Sequence, residues 1–166
     1  MPVPTEVALD FSGVKPFEPL DPRPIYLAKV TGFKLGESKE KNPKASLELT
    51  IEGPGEVQVD EWEFGADGQA VKEIGPAVDA KSGKAIMTKA SGRKLFREYS
   101  LIPTALPFLY EFIKAVDPTA DLSANFVLDT RNYLGLDCAV RIQNEGYQEQ
   151  VRARVQRVYP ASKYTG

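Results

Sequence analysis

The sequence predicts a mainly β domain, a five- to six-stranded antiparallel barrel plugged by one amphipathic helix. Three observations carry that prediction. Short runs alternate apolar and polar residues with a period of two, most cleanly where Leu47, Leu49 and Ile51 interleave with Ser46, Glu48 and Thr50. Glycine and proline clusters such as Gly53-Pro54-Gly55 separate the runs, and neither a helix nor a strand ladder crosses them. One stretch alone has helical spacing: Leu106, Leu109, Tyr110, Ile113 and Val116 make an apolar stripe that starts near Pro103 and stops at Asp117-Pro118.

Taken in order, residues 1–24 carry Pro2, Pro4, Pro16, Pro19, Pro22 and Pro24, and read as an extended arm that Phe11 and Phe17 tack onto the body or onto a neighbouring subunit. The first strand, residues 25–34, places Tyr26, Ala28 and Val30 on one face and Leu27, Lys29, Thr31 and Phe33 on the other. A polar loop over 36–44 follows, then a strand over 45–52 and a third over 57–64. Residues 65–92 hold Gly65, Gly68, Gly75, Gly83 and Gly92 with little apolar periodicity, so they read as a long flexible insertion. A strand over 93–101 leads into the helix, and residues 121–130 add at most a short helical turn.

Residues 135–143 and 148–158 read as a closing hairpin around Asn144-Glu145-Gly146-Tyr147, with the glycine supplying the turn geometry. In that register Val140 faces Val151, Cys138 faces Ala153 and Leu136 faces Val155, while Arg141, Arg152 and Arg154 share the other face, with Asp137 opposite Arg154. Strand, strand, strand, long loop, strand, helix, strand, strand is an order that the OB-fold barrel accommodates, with a β-sandwich as the alternative. The domain division is therefore an arm over 1–24, a barrel over 25–159 and a short tail over 160–166.

Length and composition narrow the function. A chain of 166 residues with 42% hydrophobic and 27% charged residues fits one folded domain. No apolar run is long enough to span a bilayer, and Met1-Pro2-Val3-Pro4 lacks the order of a signal peptide, so a cytoplasmic protein away from membranes is expected. Cys138 is the only cysteine and reads as a small buried hydrophobe. The absence of histidine excludes Ser-His-Asp and Cys-His triads and histidine-ligated zinc. No phosphate-cradling glycine loop occurs, and the crowded acids Asp60, Glu61 and Glu63 read as solvent-facing. No catalytic residue, metal or cofactor is expected, and the chain is read as a binding protein, not an enzyme.

Net charge is only −2, yet its distribution is uneven. The charged residues of 48–67 are all acidic and those of 81–97 are all basic. Cations and flat rings interleaved on strands beside lysine-rich loops are the footprint of a single-strand binder, in which the cations follow phosphates and the rings stack on bases. The candidate residues are Lys29, Phe33, Lys34, Lys39, Lys41, Lys44, Lys84, Lys89, Arg93, Lys94, Phe96, Arg97, Tyr147 and Arg152. Trp62, set among acids, reads as a core or interface residue.

The pattern resembles the OB-fold single-stranded DNA-binding proteins of bacteriophages. Three segments between about residues 25 and 159 carry the likeness. They are Tyr26-Leu27-Ala28-Lys29-Val30 with the loop from Ser38 to Leu47, the run from Arg97 to Pro103 entering a leucine-rich helix, and the closing hairpin from Gly135 through Ile142 with Tyr147 and Val151. The resemblance implies sequence-independent coating of single-stranded DNA during phage replication or recombination. It also implies a homo-oligomer, with a dimer favoured, and replication or recombination proteins as further partners. The tail from Tyr159 to Tyr164 departs from the acidic recruiting tails of many such proteins. The alternative reading is a phage structural or assembly protein whose proline-rich arm reaches a neighbouring subunit.

Overall fold

A computed structural model describes residues 5–10, 18–123 and 125–166. Phe11 and Phe17 of the expected arm lie outside these residues. Residues 5–10 are exposed, and the chain joins the body at Leu20, which is fully buried and bridges Val59.

The strands are β1 (Tyr26–Glu37), β2 (Pro43–Gly53), β3 (Glu56–Gln58), β4 (Asp60–Phe64), β5 (Ala70–Pro76), β6 (Met87–Lys89), β7 (Lys94–Ser100), β8 (Asp137–Tyr147) and β9 (Gln150–Pro160), and helix α1 (Leu106–Val116) follows β7. Five of them form one antiparallel sheet in the order β7-β2-β1-β8-β9. The others pair as two ribbons, β3 with β6 and β4 with β5.

Strand β2 follows its alternation as written: Ala45, Leu47, Leu49 and Ile51 are buried between partly exposed Ser46, Glu48 and Thr50. Strand β1 departs from the simple period of two. Val30 faces Leu49 while Gly32 faces Glu48, so Thr31 is an extra residue, a β-bulge. One added residue exchanges the two faces downstream of it. Phe33, expected outside as a base-stacking ring, is therefore turned into the core beside Tyr26, Ala28 and Val30. It packs edge-on against Phe112 and Tyr133, with ring centroids 5.4 and 5.7 Å away.

Helix α1 buries Leu109, Phe112, Ile113 and Ala115 against this cluster. Its core stripe is turned relative to the expected one, because Phe112 takes the inward place and Leu106 and Tyr110 remain exposed. In β7, Leu95, Arg97 and Tyr99 point inward and Lys94, Phe96 and Glu98 point outward. Arg97, a candidate phosphate ligand, instead spans the gap between the outer strands of the sheet. Its Nη1 donates to Val155 O at 3.2 Å and to Gln156 O at 3.4 Å, and its guanidinium lies 4.9 Å from the centroid of the Tyr99 ring.

The closing hairpin is longer than expected and differently registered. Val140 faces Val158 and Gly146 faces Val151, so the turn is Gln148-Glu149, with Gln148 at φ 52°. Gly146 is a strand residue, and it serves close packing instead of a turn. A Cβ there would stand 2.8 Å from the Ala70 Cβ and 3.1 Å from the Trp62 ring. Asp137 faces Lys29 of β1, and Arg154 pairs with Glu145.

The expected third strand over 57–64 is divided between β3 and β4, and neither joins the main sheet. The stretch over 65–92, expected as a structureless loop, contains β5, β6 and a bridge from Val78 to Ala85. Its ribbon is mostly exposed, which is why it lacks an apolar period. Residues 130–133 form a short 3-10 turn placing Tyr133 in the core. Cys138 is buried as expected, and burial, with Asp137 nearby, pushes its thiol up to about 12. Among the described residues no helix is long and apolar enough to cross a membrane.

Truncating the ring at the centre of the aromatic cluster removes its edge contacts and leaves a void. Phe33→Ala is expected to cost about 3–5 kcal/mol of stability in a urea titration. A loss under about 1 kcal/mol is inconsistent with the packed position of this ring.

Candidate nucleic-acid interface

The outward faces of β1, β2 and β7 form a continuous surface because each strand contributes every second residue to it. Across the strands, Lys29 aligns with Thr50 and Lys94, Gly32 with Glu48 and Phe96, and Lys34 with Ser46 and Glu98. Phe96 is 63% exposed, a large flat ring standing on the sheet with no apolar cover. Lys94 pairs with Glu48 at 3.3 Å, Lys29 with Glu52 at 3.0 Å and Lys44 with Glu98 at 2.7 Å. Glu48 also accepts from Thr31 Oγ1 at 2.8 Å. That hydrogen bond, with Lys94 and the charge of Lys34, holds its carboxyl below the ordinary range.

At the Lys94 end this face runs into a groove of about 1170 Å3. Its walls are the start of β7, strand β4 and the tip of the β8–β9 hairpin. Trp62, Phe64, Lys94, Phe96, Arg152 and Arg154 line it. Tyr147 adjoins through Arg152, whose guanidinium lies 5.2 Å from the centroid of that ring. The lining also contains Glu61, Glu145 and Glu149, and Arg154 is held by Glu145 at 3.2 Å. Arg93 borders the groove too, but its Nη1 donates to Glu18 O at 2.6 Å, clamping the segment before β1.

The structure thus brings Arg93, Lys94, Phe96 and Arg152 together at one groove, with Tyr147 beside it and Lys29 and Lys34 on the same outer face. Lys44 lies at the opposite end of the sheet, opposite Ser100, and Lys39 and Lys41 occupy the turn beyond it. Lys89 faces Glu56 across the β3–β6 ribbon, and Lys84 belongs to the turn before it. Phe33 and Arg97 are structural. The acidic and basic runs of the sequence meet inside the chain, through Lys94 with Glu48 and Lys89 with Glu56.

Sequence reasoning missed Trp62 and Phe64 as groove residues. Trp62 is held in place by Asp60, whose side chain is buried. The Asp60 Oδ2 accepts from Trp62 Nε1 at 2.9 Å and from Asn144 Nδ2 at 2.8 Å, and its backbone N–H donates to Pro19 O. Asn144 Nδ2 also donates to Leu20 O at 2.6 Å. Glu73 on β5 hydrogen-bonds the Asp60 carboxylate. That bond, together with partial burial and the charges of Asp60 and Asp21, pushes the Glu73 carboxyl up to about 7. Among the described residues no group of three or more acidic, cysteine or histidine side chains is placed to hold a metal.

No protein-family model matches the chain, and no curated protein matches it.

The Glu73 shift has a definite sign. From its ordinary value of 4.5 up to about 7 the folded state keeps a proton that the unfolded state has released, so this carboxyl's contribution to stability falls as pH rises through that window and is level above it. Urea midpoints of the native chain and Glu73→Gln, compared between pH 5 and 8, should differ by this component, with the flatter profile in the variant. Parallel profiles would show that the Glu73 carboxyl is not raised in the folded chain.

Proposed function

We propose that this chain is a sequence-tolerant single-stranded DNA-binding domain of the OB type, acting by binding without catalysis during phage DNA replication or recombination. The observation that carries the reading is Phe96, an exposed ring next to Lys94 on the outer face of the sheet, with Glu48 opposite it, and opening into the groove of Trp62.

The strand arrangement supports it. In OB folds the face of the second and third strands, with the loops after the first and fourth strands, takes up oligonucleotides. The second and third strands of the main sheet, in chain order, are β2 and β7, which present Lys94 and Phe96. The turn after β1 carries Lys39 and Lys41, and the hairpin tip after β8 carries Tyr147. Helix α1 lies between the third and fourth strands of that sheet, and Arg97 links its two outer strands where such a barrel closes. Flat rings favour unpaired bases over duplex, because a base can stack on them only when its π-face is free.

The local electrostatics set the character of binding. Lys29, Lys94 and Arg154 already have a glutamate partner, so at these positions a phosphate must displace that carboxylate to take its place. Affinity then rests heavily on stacking, with an electrostatic part that weakens with salt.

Trp62 is the only tryptophan, so its fluorescence reports on the groove directly. Oligo-dT should quench it at low salt, with the logarithm of affinity falling by about 0.7 per phosphate contact for each decade of salt. Phe96→Ala should weaken binding by about 1–3 kcal/mol without loss of fold. Absence of a complex at low salt, or unchanged affinity in that variant, retires the reading.

A further inference from the structure

The inner face of the β8–β9 hairpin buries Ile142, Asn144, Val155 and Val158. Its outward face carries Arg141, Arg152, Arg154 and Arg157, and the acids there are Asp137, which faces Lys29 of β1, and Glu145. Arginine therefore predominates over the length of hairpin beyond Asp137.

Arg157 stands on that face because the sheet is irregular. Arg141 faces Arg157 but Ile142 faces Val155, so Gln156 is an extra residue in β9, a second β-bulge. One added residue exchanges the faces downstream of it, which is why Val155 and Val158, three apart, are both buried while Gln156 and Arg157 are both exposed. Without the bulge Arg157 would turn toward the core. The same irregular register sets Arg157 opposite Arg141, and like charges so placed destabilise a sheet unless something relieves them.

Three of the four arginines have partners inside the chain. Arg157 reaches Glu111 of α1 at 3.3 Å and lies over the Tyr159 ring, 5.6 Å from its centroid. Arg154 takes Glu145, and Arg152 rests on Tyr147. Arg141 is partly buried, and it is the one arginine without a hydrogen bond, ion pair or ring contact among the described residues. With Gln143 and Gln156 it lines a cavity of about 410 Å3, and Glu73, the one acid of that lining, forms no ion pair with it. A guanidinium drawn partly out of water, facing a second guanidinium and matched by no carboxylate, lacks a counter-charge.

A phosphate supplies that charge and fits the fork of an arginine. The row also continues the groove. Arg152 and Arg154 line the groove, Gln143 faces Arg154, and Arg141 is the next outward residue of β8. Outward residues two apart on a strand stand about 7 Å from one another, so a few such steps lead from the groove wall to Arg141. The pairs of Arg154 with Glu145 and of Arg157 with Glu111 are solvent-exposed, and pairs of that kind contribute little and exchange readily for a phosphate.

We propose that the outer face of the β8–β9 hairpin carries the sugar–phosphate backbone of the bound strand away from the groove, over Arg152 and Arg154 to Arg141 and Arg157, with a phosphate held at Arg141. This rests on the single-strand reading and adds to it the course by which the strand leaves.

The test is a Trp62 fluorescence titration of the full chain with an oligo-dT of about 16 nucleotides, the upper site size of one OB fold, over a range of salt. Arg141→Gln and Arg157→Gln should each lower the slope of log affinity against log salt by about 0.7, the share of one phosphate contact. Arg141→Lys should keep the native slope, since it keeps the charge. Lys81→Gln, which removes an exposed cation from the turn before β6, should keep it too. Urea midpoints close to that of the native chain show that the variants fold. A native slope in both glutamine variants of the arginines overturns the hairpin course and leaves the single-strand reading standing. An equal fall in Lys81→Gln traces the effect to net charge and overturns the course as well. No complex of the native chain at low salt overturns that reading and the course with it. Polyglutamate bound with the same losses in the two variants assigns the surface to an acidic protein segment and overturns its assignment to a nucleic-acid strand.

Discussion

The buried carboxylate of Asp60 is the junction on which the candidate interface depends. Three parts of the chain, remote in sequence, meet there: the segment before β1 through Pro19 and Leu20, the β4–β5 ribbon through Trp62 and Glu73, and the β8–β9 hairpin through Asn144. A buried charge is stable only when its hydrogen-bond capacity is met. The demand for donors therefore fixes where the indole and the amide stand. Gly146 completes the arrangement by leaving the space that the Trp62 ring and Ala70 occupy. The groove is in this sense a by-product of satisfying one anion, and its aromatic wall is held by a hydrogen bond as well as by packing.

Charge on this surface is arranged in pairs instead of a uniform field. With a net charge of −2 the chain has no long-range attraction for a polyanion, and the glutamates beside Lys29, Lys44, Lys94 and Arg154 keep those side chains ordered but partly neutralised. Such a surface suppresses indiscriminate adhesion, because a phosphate has to compete with a tethered carboxylate at each of these four cations. On the proposed reading, rings that face solvent such as Phe96 make up the difference, and they reward only ligands with accessible flat faces.

Much of the main sheet was legible in the sequence because burial on one face imprints a period of two. Strand β2 and the position of the helix are cases in point. What escaped was local irregularity. The bulge at Thr31 has no signature in composition, yet it moves Phe33 from the outside to the core. The hairpin turn was misplaced because Gly146 looked like turn chemistry, whereas the chain reverses at Gln148, a non-glycine residue at positive φ. The exposed β4–β5 ribbon imprints little apolar period, so it read as loop. For the candidate groove, alternating pattern and charge pointed to Lys94, Phe96 and Arg152, which line it. Trp62 was not, because its neighbours in sequence are acids, and only the fold shows one of them to be its hydrogen-bond partner.

Arg97 closes the sheet with a side chain where a barrel would use backbone. By binding the carbonyls of Val155 and Gln156 it occupies acceptors on β9 that the facing edge of β7 leaves unpaired. Bare strand edges invite a strand from another molecule, and proteins commonly guard them with a charged residue. Arg97 acts as such a guard from within, because a side chain of β7 meets two backbone acceptors of β9.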